Sequence, residues 1–258
     1  MSEKNRDGKR TARERLAVER EKQKAADKRR RALIVGASVV CVLALATVVG
    51  ILAANAGKSG KGSASGPAVV PSGAKGKDGL AIPVGKDSAK ATLTVWEDFR
   101  CPACKLFETV YRPTIHELVD AGKLRVDYHL VTLIDGNLRG TGSRDAANAA
   151  ACAQDAGKFW PYHDVLYQNQ PHETQDSFSD SAKLIELAGK VGGLDTPEFQ
   201  KCVKDGTHNS WVVKSNAAFQ TGGFTGTPTV FLGDKKISAD RTMIPAKLKQ
   251  MVEAANKG

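Results

Sequence analysis

The longest hydrophobic stretch of the chain runs from residue 32 to residue 56 and contains no charged side chain. About 20 apolar residues in a helix cross the hydrocarbon core of a bilayer, so this stretch predicts a single transmembrane helix. Three arginines precede it, and the positive-inside rule then places residues 1–31 in the cytoplasm and the chain beyond residue 56 outside. A cleaved signal peptide is the alternative, because Ala54-Asn55-Ala56 has the small-x-small form of a cleavage site.

The composition changes after the hydrophobic stretch. Residues 57–80 are rich in Gly, Ser, Lys and Pro, a composition typical of flexible linkers. Residues 81–258 then remain, which is enough chain for one domain with its own core. Both interpretations of residues 32–56 place this domain outside the cytoplasm, where disulfides persist.

Within residues 81–258, β-branched and aromatic runs alternate with segments whose apolar residues recur at helical spacing. Strands are predicted over Ala91–Phe99, Leu124–Leu133 and Thr229–Leu232, and helices over Cys101–Asp120, Arg144–Asn169, Ser181–Val191, Pro197–Lys204, Ser210–Thr221 and Pro245–Asn256. The order is strand, helix, strand, a helical block over about 138–223, then two strands and a last helix. This order predicts an α/β fold with an inserted helical subdomain.

The net charge of +10 is concentrated at the N-terminus, where residues 1–31 hold 13 Lys and Arg against 6 Asp and Glu. The rest of the chain carries only +3. The basic balance therefore belongs to the tail and gives no ground for nucleic-acid binding by the main domain. The chain has five cysteines, too few for a scaffold built from disulfides, so ordinary packing must stabilise the core.

A C-x-x-C pair, Cys101 and Cys104, stands between a predicted strand and the helix that follows it. The free N–H groups and the positive end of a helix favour a thiolate at Cys101, and Cys104 lies three residues on, on the same face. This arrangement predicts redox chemistry in which Cys101 attacks and Cys104 resolves the mixed disulfide. Half of a zinc site is the alternative, but zinc needs four ligands and the sequence has no second C-x-x-C.

A second motif, Gly226-Thr227-Pro228-Thr229, comes directly before a predicted strand. Proline at the first residue of a strand removes no ladder hydrogen bond. A loop proline entering an edge strand explains the motif by itself, and a cis bond before Pro228 would make a sharp turn there.

Together these features resemble the thioredoxin superfamily, and within it the DsbA-like thiol-disulfide oxidoreductases. The resemblance covers nearly all of residues 81–258 and is carried by Cys101–Cys104, the helix with Pro113 that follows, Thr227-Pro228, Phe159–His163 and Leu166-Tyr167. It implies a thioredoxin-like fold, a nucleophilic Cys101, a resolving Cys104, a cis-Pro228 facing both thiols, and a Thr227 backbone that pairs with an extended substrate peptide. It implies neither a metal nor an organic cofactor.

Two further positions depend on this resemblance. Glu108 matches a buried acid of family members that exchanges protons at the resolving cysteine, and an exposed glutamate on the helix surface is the alternative. Ala103 stands where the commonest motif of the family has histidine. Because alanine donates no hydrogen bond to the thiolate, the strength of the oxidant is left open.

The remaining cysteines of the predicted domain, Cys152 and Cys202, lie in predicted helices of the inserted block. With Cys101 and Cys104 paired locally, these two are the partners left for a structural disulfide. Two buried thiols are the alternative.

The function predicted from the sequence is a membrane-tethered, extracytoplasmic thiol-disulfide oxidoreductase, acting as an oxidant. Its partners would be reduced or misoxidised extracytoplasmic proteins and a membrane redox protein that resets the Cys101–Cys104 disulfide. A disulfide reductase is the alternative of the same class. A tethered copper-binding module is the alternative of another class, because Cu(I) accepts two thiolates.

Overall fold

The computed structural model describes residues 67–238 and 242–257 of the 258-residue chain. The predicted cytoplasmic tail (1–31), the predicted membrane helix (32–56) and residues 57–66 of the predicted linker lie outside these ranges. No helix within the described ranges is long and apolar enough to cross a membrane.

Five strands and eight helices make up the described part of the chain. The strands are β1 (Ile82–Val84), β2 (Ala91–Glu97), β3 (Leu124–Leu130), β4 (Thr229–Leu232) and β5 (Lys235–Lys236). The helices are α1 (Pro102–Asp120), α2 (Leu133–Leu138), α3 (Gly142–Asp155), α4 (Phe159–Gln168), α5 (Ser181–Ala188), α6 (Pro197–Asp205), α7 (Asn209–Thr221) and α8 (Pro245–Lys257). Short 3₁₀ turns lie at Lys77–Gly79 and Ser177–Ser179.

The strands form one mixed sheet in the order β1-β3-β2-β4-β5. β2 lies at its centre, parallel to β3 and antiparallel to β4. In both β2 and β3 every second residue is buried and those between are half-buried, as the period of two in a pleated strand requires. Only residues 98–101 separate the carboxyl end of β2 from the first turn of α1.

Helices α2 to α7 separate β3 from β4, which confirms the predicted α/β fold with inserted helices. The alanine-rich α3 is the centre of this insertion and contacts α4, α6 and α7. Its alanines are fully buried at positions 146, 147, 149, 150, 151 and 153. Side chains this small let neighbouring helices approach closely, so α3 packs on several sides at once.

The differences from the predicted elements include two wrong boundaries and one strand that was not predicted. The segment Arg144–Asn169 forms two helices, because Gly157 adopts a left-handed conformation with φ of 65° that ends α3. Strand β3 ends at Leu130, and the residues after it turn into α2, whose Ile134 N–H donates to the Asp98 carboxylate at 2.8 Å. Strand β1 was not predicted, because three residues are too few to show an alternating pattern.

Candidate active site

The two cysteines of the C-x-x-C motif lie at the N-terminus of α1. Cys101 is the N-cap residue in an extended conformation, and Pro102 occupies the first helical position, where its missing N–H costs no hydrogen bond. Both cysteines are free thiols, with Cys101 6% exposed and Cys104 fully buried. An incoming sulfur can therefore reach Cys101 first.

The pKa values of the two thiols are shifted in opposite directions. A hydrogen bond from the Cys104 thiol is the largest of the effects that lower the pKa of Cys101 to about 6, and burial opposes it. The backbone N–H groups of Ala103 and Cys104 lower it further. Burial raises the pKa of Cys104 well above its ordinary value, and its interactions with Cys101 and Glu97 add to this. At neutral pH the pair holds one thiolate and one thiol, and the thiolate is the reactive form.

The loop before β4 faces Cys101. Its Thr227–Pro228 peptide bond is cis, as the resemblance implies, and the Cys101 thiol donates to the Thr227 carbonyl oxygen at 3.4 Å. These residues are 126 positions apart in the chain. They meet because β4 pairs with β2, with Thr229 opposite Trp96, which brings the start of β4 next to the end of β2.

A groove of about 510 Å³ lies beside the cysteines, between α1 and the cis-proline loop. Apolar residues dominate its lining, among them Leu106, Phe107, Val110, Pro228, Val230 and Met243. Leu106 is 65% exposed and Val110 is 44% exposed. Exposed apolar side chains next to a reactive thiol form a surface that can accommodate an apolar peptide segment.

A buried arginine fastens the segment before Cys101 to the inserted helices. Arg100 is 1% exposed, and its guanidinium lies 2.7 Å from both the Asp135 and the Asp176 carboxylates. It also donates to the Glu173 carbonyl oxygen at 3.0 Å. Because both anions belong to segments after β3, this cluster joins the active-site segment to the insertion.

A buried amide supports the same segment from the insertion side. The Gln170 side chain donates to the carbonyl oxygens of Phe99 and Cys101, at 2.8 and 3.0 Å. On the other side, the Asp98 carboxylate accepts the Arg100 N–H at 2.8 Å, and burial raises the pKa of Asp98 to about 7. The backbone that carries Cys101 is therefore held by polar contacts on two sides.

Glu108 is buried in the core, not exposed on the helix surface. It is 2% exposed, and burial is the main cause that raises its pKa to about 8. Its position, one helical turn after Cys104 on the same face of α1, brings it close to Glu97 and to His163 of α4: the side-chain oxygen and nitrogen atoms of the three residues lie within 4.8 Å of one another.

Cys152 and Cys202 are joined by a disulfide that links α3 to α6. Their Cα atoms are 5.9 Å apart. The bond lies within the inserted helices and shares no residue with the Cys101 site.

Sequence reasoning did not identify the partners of several residues that the structure places around the cysteines. Arg100, Gln170 and the Glu97–His163 pair contact the active-site segment or the core behind it. A local signal existed for Glu97 and Arg100. A charged residue at an inward strand position, such as Glu97, or beside a motif cysteine, such as Arg100, is unusual when buried. Their partners lie 35 or more positions away and could not be identified from spacing.

The chain matches the thioredoxin family over residues 77–254. Disulfide bond formation protein D of Bacillus subtilis is 28% identical to it over 180 residues, which cover 68% of this chain and 77% of that protein. The crystal structure of reduced DsbA from Mycobacterium tuberculosis superposes on it with a TM-score of 0.60 at 28% identity, covering 69% of this chain and 93% of the other. For oxidised BdbD from Bacillus subtilis the TM-score is 0.57 at 28% identity, with coverage of 68% and 92%.

Proposed function

This chain belongs to the thioredoxin family and is a thiol-disulfide oxidoreductase, and from that premise we propose that it oxidises extracytoplasmic proteins through Cys101 and Cys104. The observation that carries the proposal is the opposite acidity of the two thiols at the start of α1. One sulfur is accessible and acidic, whereas the other is buried and retains its proton.

The reaction proceeds by two thiol-disulfide exchanges. A substrate thiolate attacks the Cys101 sulfur of the Cys101–Cys104 disulfide, so that a mixed disulfide forms and Cys104 leaves as a thiolate that takes up a proton. A second substrate thiolate then attacks the substrate sulfur of the mixed disulfide, and Cys101 leaves as a thiolate. The substrate is oxidised to a disulfide by two electrons, and the Cys101–Cys104 pair is reduced.

The direction of electron flow follows from the stability of the reduced pair. A thiol with a lowered pKa is a good leaving group, and stabilising its thiolate raises the reduction potential. The hydrogen bonds to Cys101 act in this sense. They come from the Cys104 thiol and from the backbone N–H groups of Ala103 and Cys104, so Ala103 needs no side-chain donor to make the pair oxidising.

Protein substrates would dock on the groove next to the cysteines. An extended segment can pair with the Thr227 backbone while apolar side chains occupy the space beside Leu106 and Phe107. Glu108 would exchange the proton at Cys104, which its burial and its place one turn along α1 support.

The proposed location follows from residues 32–56, whose uncharged apolar composition supports a single-pass anchor with the domain outside. A membrane redox partner would reset the disulfide after each cycle. Protease added to intact cells or protoplasts should then digest residues 81–258 and spare the N-terminal tail. Release of the intact domain with a mature N-terminus at Gly57 would support cleavage instead.

A trapping experiment tests the activity. Cys104→Ser should accumulate mixed disulfides with secreted cysteine-containing proteins, because the resolving thiol is gone. Cys101→Ser should capture none. The matched control is the double variant Cys152→Ser and Cys202→Ser, which loses two cysteines remote from the site and should turn over as the wild type does. Equal trapping by Cys101→Ser would refute the assignment.

The reduction potential distinguishes the oxidant from the reductant. An oxidant should have a potential well above about −270 mV, the thioredoxin value, and deletion of the gene should leave secreted proteins with free thiols. A potential near that of thioredoxin, with secreted disulfides intact in the deletion strain, would establish the reductase alternative.

A further inference from the structure

Three ionisable side chains lie together in the core behind Cys104. Glu97 ends β2, Glu108 lies on the inner face of α1 and His163 belongs to α4. None is more than 2% exposed, and Nε2 of His163 is 2.7 Å from Oε1 of Glu97. Glu108 lies one helical turn after Cys104 on α1, and the charge of Glu97 raises the pKa of the Cys104 thiol.

Part of the polar capacity of this cluster is unused. In the described part of the protein, Oε2 of Glu97 and Oε1 of Glu108 are buried and have no hydrogen-bond partner, and Nδ1 of His163 faces Oδ1 of Asp164 at 3.6 Å. A buried polar atom without a partner costs free energy, and two unpartnered carboxylate oxygens in one place are rare in a native core. The arrangement is suited to a group whose protons move during the reaction.

The charges within the cluster are balanced. Burial by itself lowers the pKa of the His163 imidazole, but the carboxylates of Glu97 and Asp164 raise it to a net value of about 10. Burial and the charge of Glu97 raise the pKa of Glu108 to about 8, and the His163 cation opposes them. At neutral pH His163 is therefore protonated and Glu108 is mostly protonated.

Other charged and titratable groups facing the cluster come from the elements packed around it. Asp164 of α4 raises and Arg112 of α1 lowers the pKa of Glu108, and Asp164 is also 3.1 Å from His116. The phenols of Tyr128 and Tyr167 are buried against it, and burial raises both of their pKa values well above the ordinary range. Both phenols stay neutral in the range where Glu108 titrates.

We propose that Glu97, His163 and Glu108 form a proton store for Cys104, in which the Glu97–His163 pair positions Glu108 and sets its affinity for the exchanged proton. The inference rests on the proposed function and adds two positioning residues to it. His163 and Glu97 act on the exchanged proton through Glu108.

The exchange balances in both directions. When a substrate thiolate bonds to the Cys101 sulfur, the Cys101–Cys104 bond breaks, Cys104 leaves with the electron pair, and Glu108 donates its proton to it. When the pair is reoxidised, Glu108 takes the proton from Cys104, whose sulfur bonds to Cys101 while the partner sulfur leaves as a thiolate. The His163 cation stabilises the carboxylate form of Glu108, which is the form that accepts the proton.

A two-phase thiol assay separates this inference from the proposed function. The reduced full-length protein, in a Cys41→Ala background that leaves Cys101 and Cys104 as its reduced cysteines, is mixed with dithiobis(nitrobenzoate). The first nitrothiobenzoate release reports the attack of Cys101 on the reagent. The second, unimolecular release reports deprotonation of Cys104 and its attack on the Cys101 mixed disulfide.

The second phase should depend on Glu108. In the wild type its rate should rise with pH through about 8, because Glu108 must be deprotonated to accept the proton. Glu108→Gln should slow the second phase at least about 10-fold near that pH and leave the first phase unchanged. This bound is conservative, because general acid-base catalysis contributes about 100-fold or more. The matched control is Glu117→Gln, the same substitution at an exposed position of α1, which should change neither phase.

His163→Gln tests the positioning role. Removing the cation that lowers the pKa of Glu108 should move the midpoint of the second phase to higher pH, a change that loss of packing alone would not produce. An unmoved midpoint in folded His163→Gln overturns the role of His163, and a wild-type second phase in Glu108→Gln overturns the store. If Cys101→Ser keeps the first phase, the proposed function fails instead.

Infrared difference spectroscopy gives a readout that does not require a His163 variant to fold. The reduced wild type should show a protonated carboxyl band near neutral pH that Glu108→Gln lacks. Asp98 also titrates near pH 7, so the comparison between the two proteins assigns the band. Identical carboxyl bands in both would overturn the proposal.

Discussion

The acidity of Cys101 depends most on one neighbouring thiol, and this dependence can be measured. Hydrogen bonding from Cys104 is the first cause of the lowered Cys101 pKa. Cys104→Ala removes the donor, whereas Cys104→Ser replaces it with a hydroxyl of similar size that can still donate. The Cys101 pKa should therefore rise from about 6 in the alanine variant and rise less in the serine variant.

The size of the change follows from the energy of one charge-assisted hydrogen bond. Such a bond contributes about 1.5–3 kcal/mol, and one pKa unit corresponds to about 1.4 kcal/mol. The alanine variant should then have a Cys101 pKa about one to two units higher. Near pH 6 its thiolate fraction, and with it the alkylation rate, should fall about 5- to 50-fold.

The assay is the ultraviolet absorbance of the Cys101 thiolate against pH, together with the rate of alkylation by iodoacetamide, in the Cys41→Ala background. Cys104 does not interfere in the parent protein, since its pKa lies well above the ordinary value. Equal midpoints for the parent, alanine and serine variants would refute the reasoning. They would show that the helix N-terminus accounts for the acidity without Cys104.

Two further predictions concern stability. Replacing both Cys152 and Cys202 with alanine should lower the free energy of unfolding by up to about 4 kcal/mol, because the disulfide closes a loop with a separation of 50 residues. The rate of Cys101 alkylation should not change. An unchanged midpoint of urea unfolding would contradict this prediction. Arg100→Met should cost about 3–5 kcal/mol, because it leaves the Asp135 and Asp176 carboxylates without their cation, and a loss below about 1 kcal/mol in urea unfolding would show that water replaces it.

The sequence by itself determined the features that depend on neighbours along the chain. The strand before Cys101, the helix that begins at Pro102 and the asymmetry of the two thiols all follow from local pattern, because period, helix start and C-x-x-C spacing are set within a few residues. The α/β order with an inserted helical block was determined in the same way. The break at Gly157 also had a local signal, a glycine inside a helical pattern.

Other features depended on tertiary structure. Pairing of β4 with β2 brings the Thr227 carbonyl to the Cys101 sulfur across 126 positions, and only the family resemblance, not spacing, indicated this contact. Residue spacing also left Glu108 undecided between the core and the surface. Burial decides the chemistry of such a group, because the same carboxyl is an ordinary anion in water and a proton carrier in the core.

The Glu97–His163 pair shows the limit of sequence reasoning most clearly. Strand alternation can turn Glu97 inward, but the cation that balances it lies 66 positions later on α4. Nothing in the local sequence of α4 indicates that His163 faces β2 rather than solvent. Only the packing of the inserted helices on the sheet brings the two charges together, because a buried charge is tolerated where an opposite charge lies within hydrogen-bonding distance.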